Sequence, residues 1–208
     1  MPLNVSTRRL RAPWWNLRWV ARLPRRYLFH ASLSGRLTPA SGKVPCLYLA
    51  RNRETSFYEL YGDVLDAASK LKLFAKVSRP ELAHRVYIKT PVDMTVRLYD
   101  LTKEKSGRSI GMDLATLYTA DVDHPREFAQ RIHDHPRKFD GILYESRHTK
   151  TVCVVLWATH SPELHSMLFE RGPTLDDLTS FDRRLPAGCL RLFDAVLEVS
   201  SPPVAGAD

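Results

Sequence analysis

Apolar positions along the chain fall into short continuous runs and longer periodic stretches. Val44–Ala50 (VPCLYLA) and Val152–Trp157 (VCVVLW) are nearly unbroken apolar segments of strand length, and both read as buried strands. Residues 54–76 place Phe57, Leu60, Tyr61, Val64, Leu65, Ala68 and Leu71 at helical spacing, with Gly62 as the point where the helix would break or kink. His84–Thr90 and Met94–Thr102 read as successive strands separated by Pro91. Pro125 opens and Pro136 closes a helix in PREFAQRIHDHP. Phe139–Trp157 reads as two strands joined by a polar turn. Residues 161–172 are helix-like, and residues 189–200 form a last alternating strand. Strands outnumber helices and few crossovers are of the βαβ type. The expected class is α+β, with a mixed or mainly antiparallel curved core and flanking helices, rather than a doubly wound sheet.

Composition narrows the class without naming a function. With 208 residues, 44% of them apolar and 26% charged, the chain fits one soluble domain with peripheral additions. No apolar run approaches the roughly 20 residues of a membrane span, and the N-terminus lacks the apolar core of a secretory signal. The three cysteines, Cys46, Cys153 and Cys189, are far apart in apolar stretches. They are expected as buried free thiols of a reducing compartment, which places the protein in the cytoplasm. Glycine-rich phosphate loops are absent from the sequence. His133 and His135 stand two apart, but no carboxylate or cysteine partner completes a metal set, and none is expected.

The charge is unevenly distributed. Of the net +8, the seven arginines of residues 1–26 supply nearly all, because that segment holds no acid; the remaining chain is close to neutral. The same segment carries Trp14, Trp15 and Trp19. Residues 1–26 therefore read as a basic arm on a domain spanning residues 27–200, with residues 201–208 as a disordered tail. Between Pro13 and Pro24 the tryptophans fit a short amphipathic helix. Three destinations remain open for it: its own domain or a partner subunit, nucleic acid, or an anionic membrane.

Chemistry-bearing residues stand at the edges of the expected strands. Gly35-Arg36 precedes the first run, Tyr48 lies within it, Glu59 sits on the following helix among Phe57, Tyr58, Leu60 and Tyr61, and Ser146-Arg147 closes a later strand. A carboxylate between apolar walls acts strongly on a developing cation. Taken in order, GRLTP, CLYLA, Glu59 and DGILYES resemble the RES domain family, named for an arginine, a glutamate and a serine. The match runs through Gly35, Arg36, Pro39, Tyr48, Leu49, Ala50, Glu59, Asp140, Gly141, Ile142, Tyr144 and Ser146, and covers roughly residues 26–158.

The resemblance implies a compact fold similar to ADP-ribosyltransferases, in which two small curved sheets hold NAD as substrate. It further implies a toxin that breaks the nicotinamide–ribose bond by hydrolysis, phosphorolysis or ADP-ribosyl transfer, and that is neutralised by an antitoxin protein. On that reading Glu59, Tyr48 and Ser146 are catalytic. Glu59 would stabilise the ribosyl cation, Tyr48 would contact nicotinamide, and Ser146 would bind the ribose or fix Glu59. Arg36 and Arg147 would join Tyr48 in binding NAD. The family also has an arginine in an L-[YF]-R element before G-R. In YLFHAS the equivalent place holds His30, so Arg36, Arg26 or His30 would take the pyrophosphate. Glu145, expected to point away from Ser146, is left out of the site. The alternative is a non-catalytic protein of the same scaffold that uses its basic arm on nucleic acid or membrane. Homo-oligomerisation is left open.

Overall fold

The computed structural model describes residues 5–19, 29–31, 35–91, 93–103, 115, 121–160, 169–180 and 183–200. The chain starts with β1 (Val5–Leu10), β2 (Trp15–Trp19), β3 (His30–Ala31) and β4 (Pro45–Ala50). Helix α1 (Arg53–Lys70) leads to β5 (Ala75–Ser78), α2 (Arg79–His84), β6 (Arg85–Lys89) and β7 (Met94–Asp100). Helix α3 (Asp123–His133) precedes β8 (Gly141–Glu145) and β9 (Val152–Trp157). Then follow β10 (Glu170–Thr174), α4 (Leu175–Leu178), β11 (Cys189–Leu192) and β12 (Ala195–Ser200).

One sheet has nine strands, ordered β1-β7-β8-β9-β4-β2-β6-β10 with β3 beside β4; a second has three, ordered β11-β12-β5. Pairing is antiparallel except for the parallel pairs β7–β8 and β12–β5. The expected α+β class, with two mixed sheets and flanking helices, is what the chain adopts.

The apolar run of β9 is explained by cover on both faces. Val155 and Trp157 join Phe128, Ala129 and Ile132 of α3 in one core, while Val154 and Leu156 join Leu47, Leu49, Leu98 and Leu143 in another on the opposite face. A strand so placed has no solvated side to alternate towards. A third core holds Leu17, Phe57, Leu82, Tyr87, Leu192 and Leu197, between α1, the β2–β6 ladder and the small sheet. The three thiols are buried and free.

Five local expectations need correction or placement. The tryptophan-rich stretch is a strand, not a helix: β2 pairs with β6 from Trp15 opposite Lys89 to Trp19 opposite Arg85. W-N-L-R-W alternates with period two, and that alternation is satisfied by burying Leu17 and setting Trp15 edge-on to Tyr87. Its tryptophans also carry guanidinium groups, with Arg53 5.4 Å above Trp15 and Arg85 4.7 Å above Trp19. Strand β1, also within the basic arm, pairs with β7, and Arg8 ion-pairs with the fully buried Asp100. Helix α1 runs through Gly62 without a break, capped by the Asn52 side chain, which accepts from the Thr55 amide at 2.7 Å. The last apolar stretch is a hairpin of two strands, β11 and β12, turned at Phe193 with φ of 54°. Of the helix expected over residues 161–172, residues 161–168 lie outside the described ones, and Glu170–Gly172 belong to β10. The expected tail at residues 201–208 also lies outside them.

Candidate functional site

The main sheet splits beside β4. Along one edge β4 is joined to β9 through five residue pairs, from Cys46 opposite Trp157 to Ala50 opposite Cys153. The other edge is shared: β3 takes its start, with His30 opposite Cys46, and β2 touches its end at the single pair Trp15–Ala50. A cavity of about 480 Å³ lies along the divergence of β2 from β4. Its walls are Asn16 and Arg18 of β2, Tyr48 of β4, Glu59 and Asp63 of α1, Arg36 of the loop before β4, and Tyr144, Arg147 and His148 around the end of β8.

Side chains replace the missing ladder. Asn16 donates through Nδ2 to the Tyr48 carbonyl at 2.8 Å, and its Oδ1 accepts from Arg18 Nε at 2.6 Å. Among the described residues Arg18 Nη1 has no hydrogen-bond partner, and the atom is buried. Burial lowers the Arg18 pKa to about 10, so the group stays cationic at neutral pH. Arg18 thus places a cation on the cavity wall, and a guanidinium there suits an anionic group of a ligand.

Glu59 enters from α1 and is held from the far strand: the Tyr144 hydroxyl donates to Glu59 Oε2 at 2.9 Å. Burial, and then the Glu59 charge, push the Tyr144 phenol well up, so it remains a donor. Burial raises Tyr48 as well, partly offset by the Thr38 hydroxyl 3.0 Å from its oxygen. Gly35 is required here: a Cβ at that position would lie 2.1 Å from the Tyr48 hydroxyl oxygen, so only glycine lets the loop close over the ring. The following Arg36 donates to the Asp121 carbonyl at 3.4 Å. Its pKa is lowered by partial burial and then by the charge of Arg147, while Asp63 and Glu59 oppose the shift.

Arg147 ion-pairs with Asp63, and its Nε donates to His148 Nε2 at 3.1 Å. His148 Nδ1 faces Asp66 at 3.5 Å. The imidazole lies against the helix where Gly62 leaves room, since a Cβ there would come within 2.4 Å of Nε2. Gly62 is thus a notch for this ring.

The structure brings Arg36, Tyr48, Glu59 and Arg147 to one cavity. Ser146 differs from its expected placement. It is fully buried, outside the lining, and its Oγ accepts from the amides of His148 and Thr149 at 3.3 and 3.4 Å. Those bonds shape the turn that presents Arg147 and His148, and the hydroxyl expected to fix Glu59 is replaced by that of Tyr144. Glu145, set aside in the sequence reading, is exposed and lines the cavity. The His30 backbone pairs with Cys46, while its side chain and Arg26 lie outside the described residues. Sequence reasoning missed Asn16, Arg18 and Tyr144. The signal for the first two was the alternation of Trp15, Leu17 and Trp19 with Asn16 and Arg18, which puts both polar side chains on one strand face. Among the described residues, Arg18 brings an arginine to the cavity ahead of Gly35-Arg36 in the chain.

Comparisons with known proteins agree with this architecture. A chain of the M. tuberculosis MbcT–MbcA toxin–antitoxin complex superposes with a TM-score of 0.53 at 16% identity, over 81% of this chain and 84% of that one. No curated protein matches the sequence. The RES domain profile matches residues 8–196, from the end of β1 into β12, and so spans both the split sheet and the cavity. The chain belongs to the RES domain family.

Proposed function

We propose that the chain is the toxin of a toxin–antitoxin pair, and that it consumes NAD by breaking the nicotinamide–ribose bond in the cavity between β2 and β4. The observation that carries this reading is that Glu59, held by Tyr144, and the arginines Arg18, Arg36 and Arg147 wall one cavity. A dinucleotide presents matching features, a cationic ring on a ribose at one end and a pyrophosphate in the middle. The cavity volume falls within the usual range of about 300–1,000 Å³ for small-ligand sites. Family membership and the fold shared with a chain of a toxin–antitoxin complex support the same assignment.

In this mechanism the C–N bond breaks with its electron pair passing to the pyridinium nitrogen, which becomes neutral. Positive charge develops on the ribose ring, and the Glu59 carboxylate stabilises it from a position fixed before the reaction. The acceptor oxygen then bonds to the ribose carbon and loses its proton to solvent or to Glu59. Arg18 and Arg36, both on the cavity wall, bind the pyrophosphate through charge-assisted hydrogen bonds. Tyr48, kept protonated by burial, packs against or donates to the nicotinamide. Ser146 acts through the turn that carries Arg147 and His148. Water, phosphate or a protein side chain serves as acceptor, and an antitoxin protein that closes the cavity restrains the enzyme.

Nicotinamide release from NAD by the purified chain tests the proposal. Glu59→Gln is expected to lower kcat by about 10²–10³-fold, the usual cost of removing a preorganised electrostatic group. No release by the wild type, or unchanged turnover in Glu59→Gln, overturns it.

A further inference from the structure

Helix α1 carries apolar residues on two sides, and only one side is used by the fold. Phe57, Tyr61, Leu65 and Ala68 pack into the third core. Leu60, Val64 and Leu71 remain 42%, 50% and 70% exposed, and Leu73 and Phe74, just beyond the helix, are 64% and 42% exposed. These are all the large exposed hydrophobic side chains among the described residues, gathered on one helix and its end. With the exposed Ala67, the positions 60, 64, 67 and 71 follow the alternating four-three spacing of a two-helix seam. Concentrated apolar surface of this kind marks an interaction site rather than scattered exposure.

Charge beside the stripe points to the occupant. Asp63 and Lys70 lie one heptad apart on the same flank, both exposed. If a second α1 packs antiparallel about a two-fold axis between Leu65 and Asp66, Leu60 of each copy meets Leu71 of the other. Val64 then meets Ala67, and Asp63 comes within reach of Lys70. A two-fold interface demands this self-complementarity, in which residue i meets residue j and residue j meets residue i. Asp63 keeps most of its side chain in solvent despite its pairing with Arg147, so it can accept a second cation. Leu60 and Asp63 also line the cavity, so the stripe begins at the cavity mouth.

We propose that α1 is a homodimer interface, with two copies packed antiparallel along this stripe and each cavity mouth rimmed by Leu71, Leu73 and Phe74 of the other copy. The inference stands on the surface of α1 and is independent of what the cavity turns over.

Sedimentation of the full chain, carrying Glu59→Gln so that toxicity does not limit expression, tests it. The expected result is twice the chain mass at micromolar concentration. Val64→Asp or Leu71→Asp should weaken association by about 100-fold or more, because each buries an unpaired charge in the dimer. Neither should disturb the monomer fold, as both side chains are at least half exposed in one copy. A register-specific measurement covers the case of a variant that fails to fold. Mixed Val64→Cys and Ala67→Cys chains should oxidise to a covalent dimer faster than either alone, and the native thiols are buried and will not compete. A monomer throughout, a dimer that Val64→Asp leaves intact, or no preference for the mixed cysteine pair overturns the proposal. So does a monomeric wild type whose stripe instead captures a helix of a separate antitoxin, with Val64→Asp abolishing that capture.

Discussion

Five residue pairs join β4 to β9 and five more join β9 to β8, whereas β2 meets β4 at the single pair Trp15–Ala50. One wall of the cavity is therefore continuous sheet, closed by cores on both faces, and the other is a strand held across a gap by the Asn16 amide. The acid is anchored from the first wall: Tyr144 on β8 reaches across to Glu59. Arg18, a cation held by the Asn16 side chain, stands on the second. The acid proposed to stabilise the ribosyl cation is thus tied to the stiffer wall, the one that is continuous sheet. The proposed phosphate contact, which tolerates more movement, falls to a strand joined to β4 at a single pair and held by β6 on its other edge.

That contrast can be broken at either wall, and the effects should differ in kind. The largest is expected from Arg18→Ala. Losing a charge-assisted bond to the pyrophosphate is worth about 1.5–3 kcal/mol, so KM for NAD should rise about 10–100-fold with kcat little changed. A fall in kcat alone would place Arg18 with the reacting centre. Tyr144→Phe attacks the stiff wall and should act the other way, lowering kcat about tenfold while KM holds, because it frees the carboxylate without touching the phosphates. An unaltered kcat would mean that the helix alone positions Glu59.

The stiff half also has an acid sensitivity of its own. Asp100, fully buried on β7, is opposed by burial, but hydrogen bonds from Thr102 and Arg8 and the charges of Arg8 and Lys103 hold its pKa below the usual carboxylate value. A carboxyl with a folded pKa below its unfolded one contributes stability that is complete above about pH 4 and lost as pH falls through the folded value. Thermal melts from pH 6 down to pH 2 should therefore show a decline that is shallower in Asp100→Asn. Equal slopes would remove Asp100 as a cause. The smallest effect is expected at the end of α1. Lys72 adopts φ of 56°, and the Leu73 amide donates to the Ala68 carbonyl at 2.9 Å, a helix stop normally built on glycine. Lys72→Gly should raise stability by about 0.5–1 kcal/mol, read as a small increase in Tm.

Much of the cavity was legible before the fold was known. Arg36, Tyr48, Glu59 and Arg147 were picked out by residue type and motif, and all four line it. These positions follow turn and strand signals that act locally, such as the glycine before Arg36 and the apolar run around Tyr48. The tryptophan segment was misread because five residues are too few to separate a period of two from a spacing of four. Only pairing with β6 decides between them, and that pairing is made with a strand about seventy residues away.

The sequence by itself determined the α+β class, the acid on a helix after the Tyr48 strand, and the location of the buried strands, since each depends on composition and period over a few neighbours. Tertiary structure alone decided that Arg18 borders the cavity, that Tyr144 rather than Ser146 holds Glu59, and that α1 buries Phe57, Tyr61 and Leu65 while leaving Leu60, Val64 and Leu71 in solvent. The physical reason is the same in each case. Periodicity says which side chains share a face, but what covers that face is fixed by contacts between residues distant in the chain.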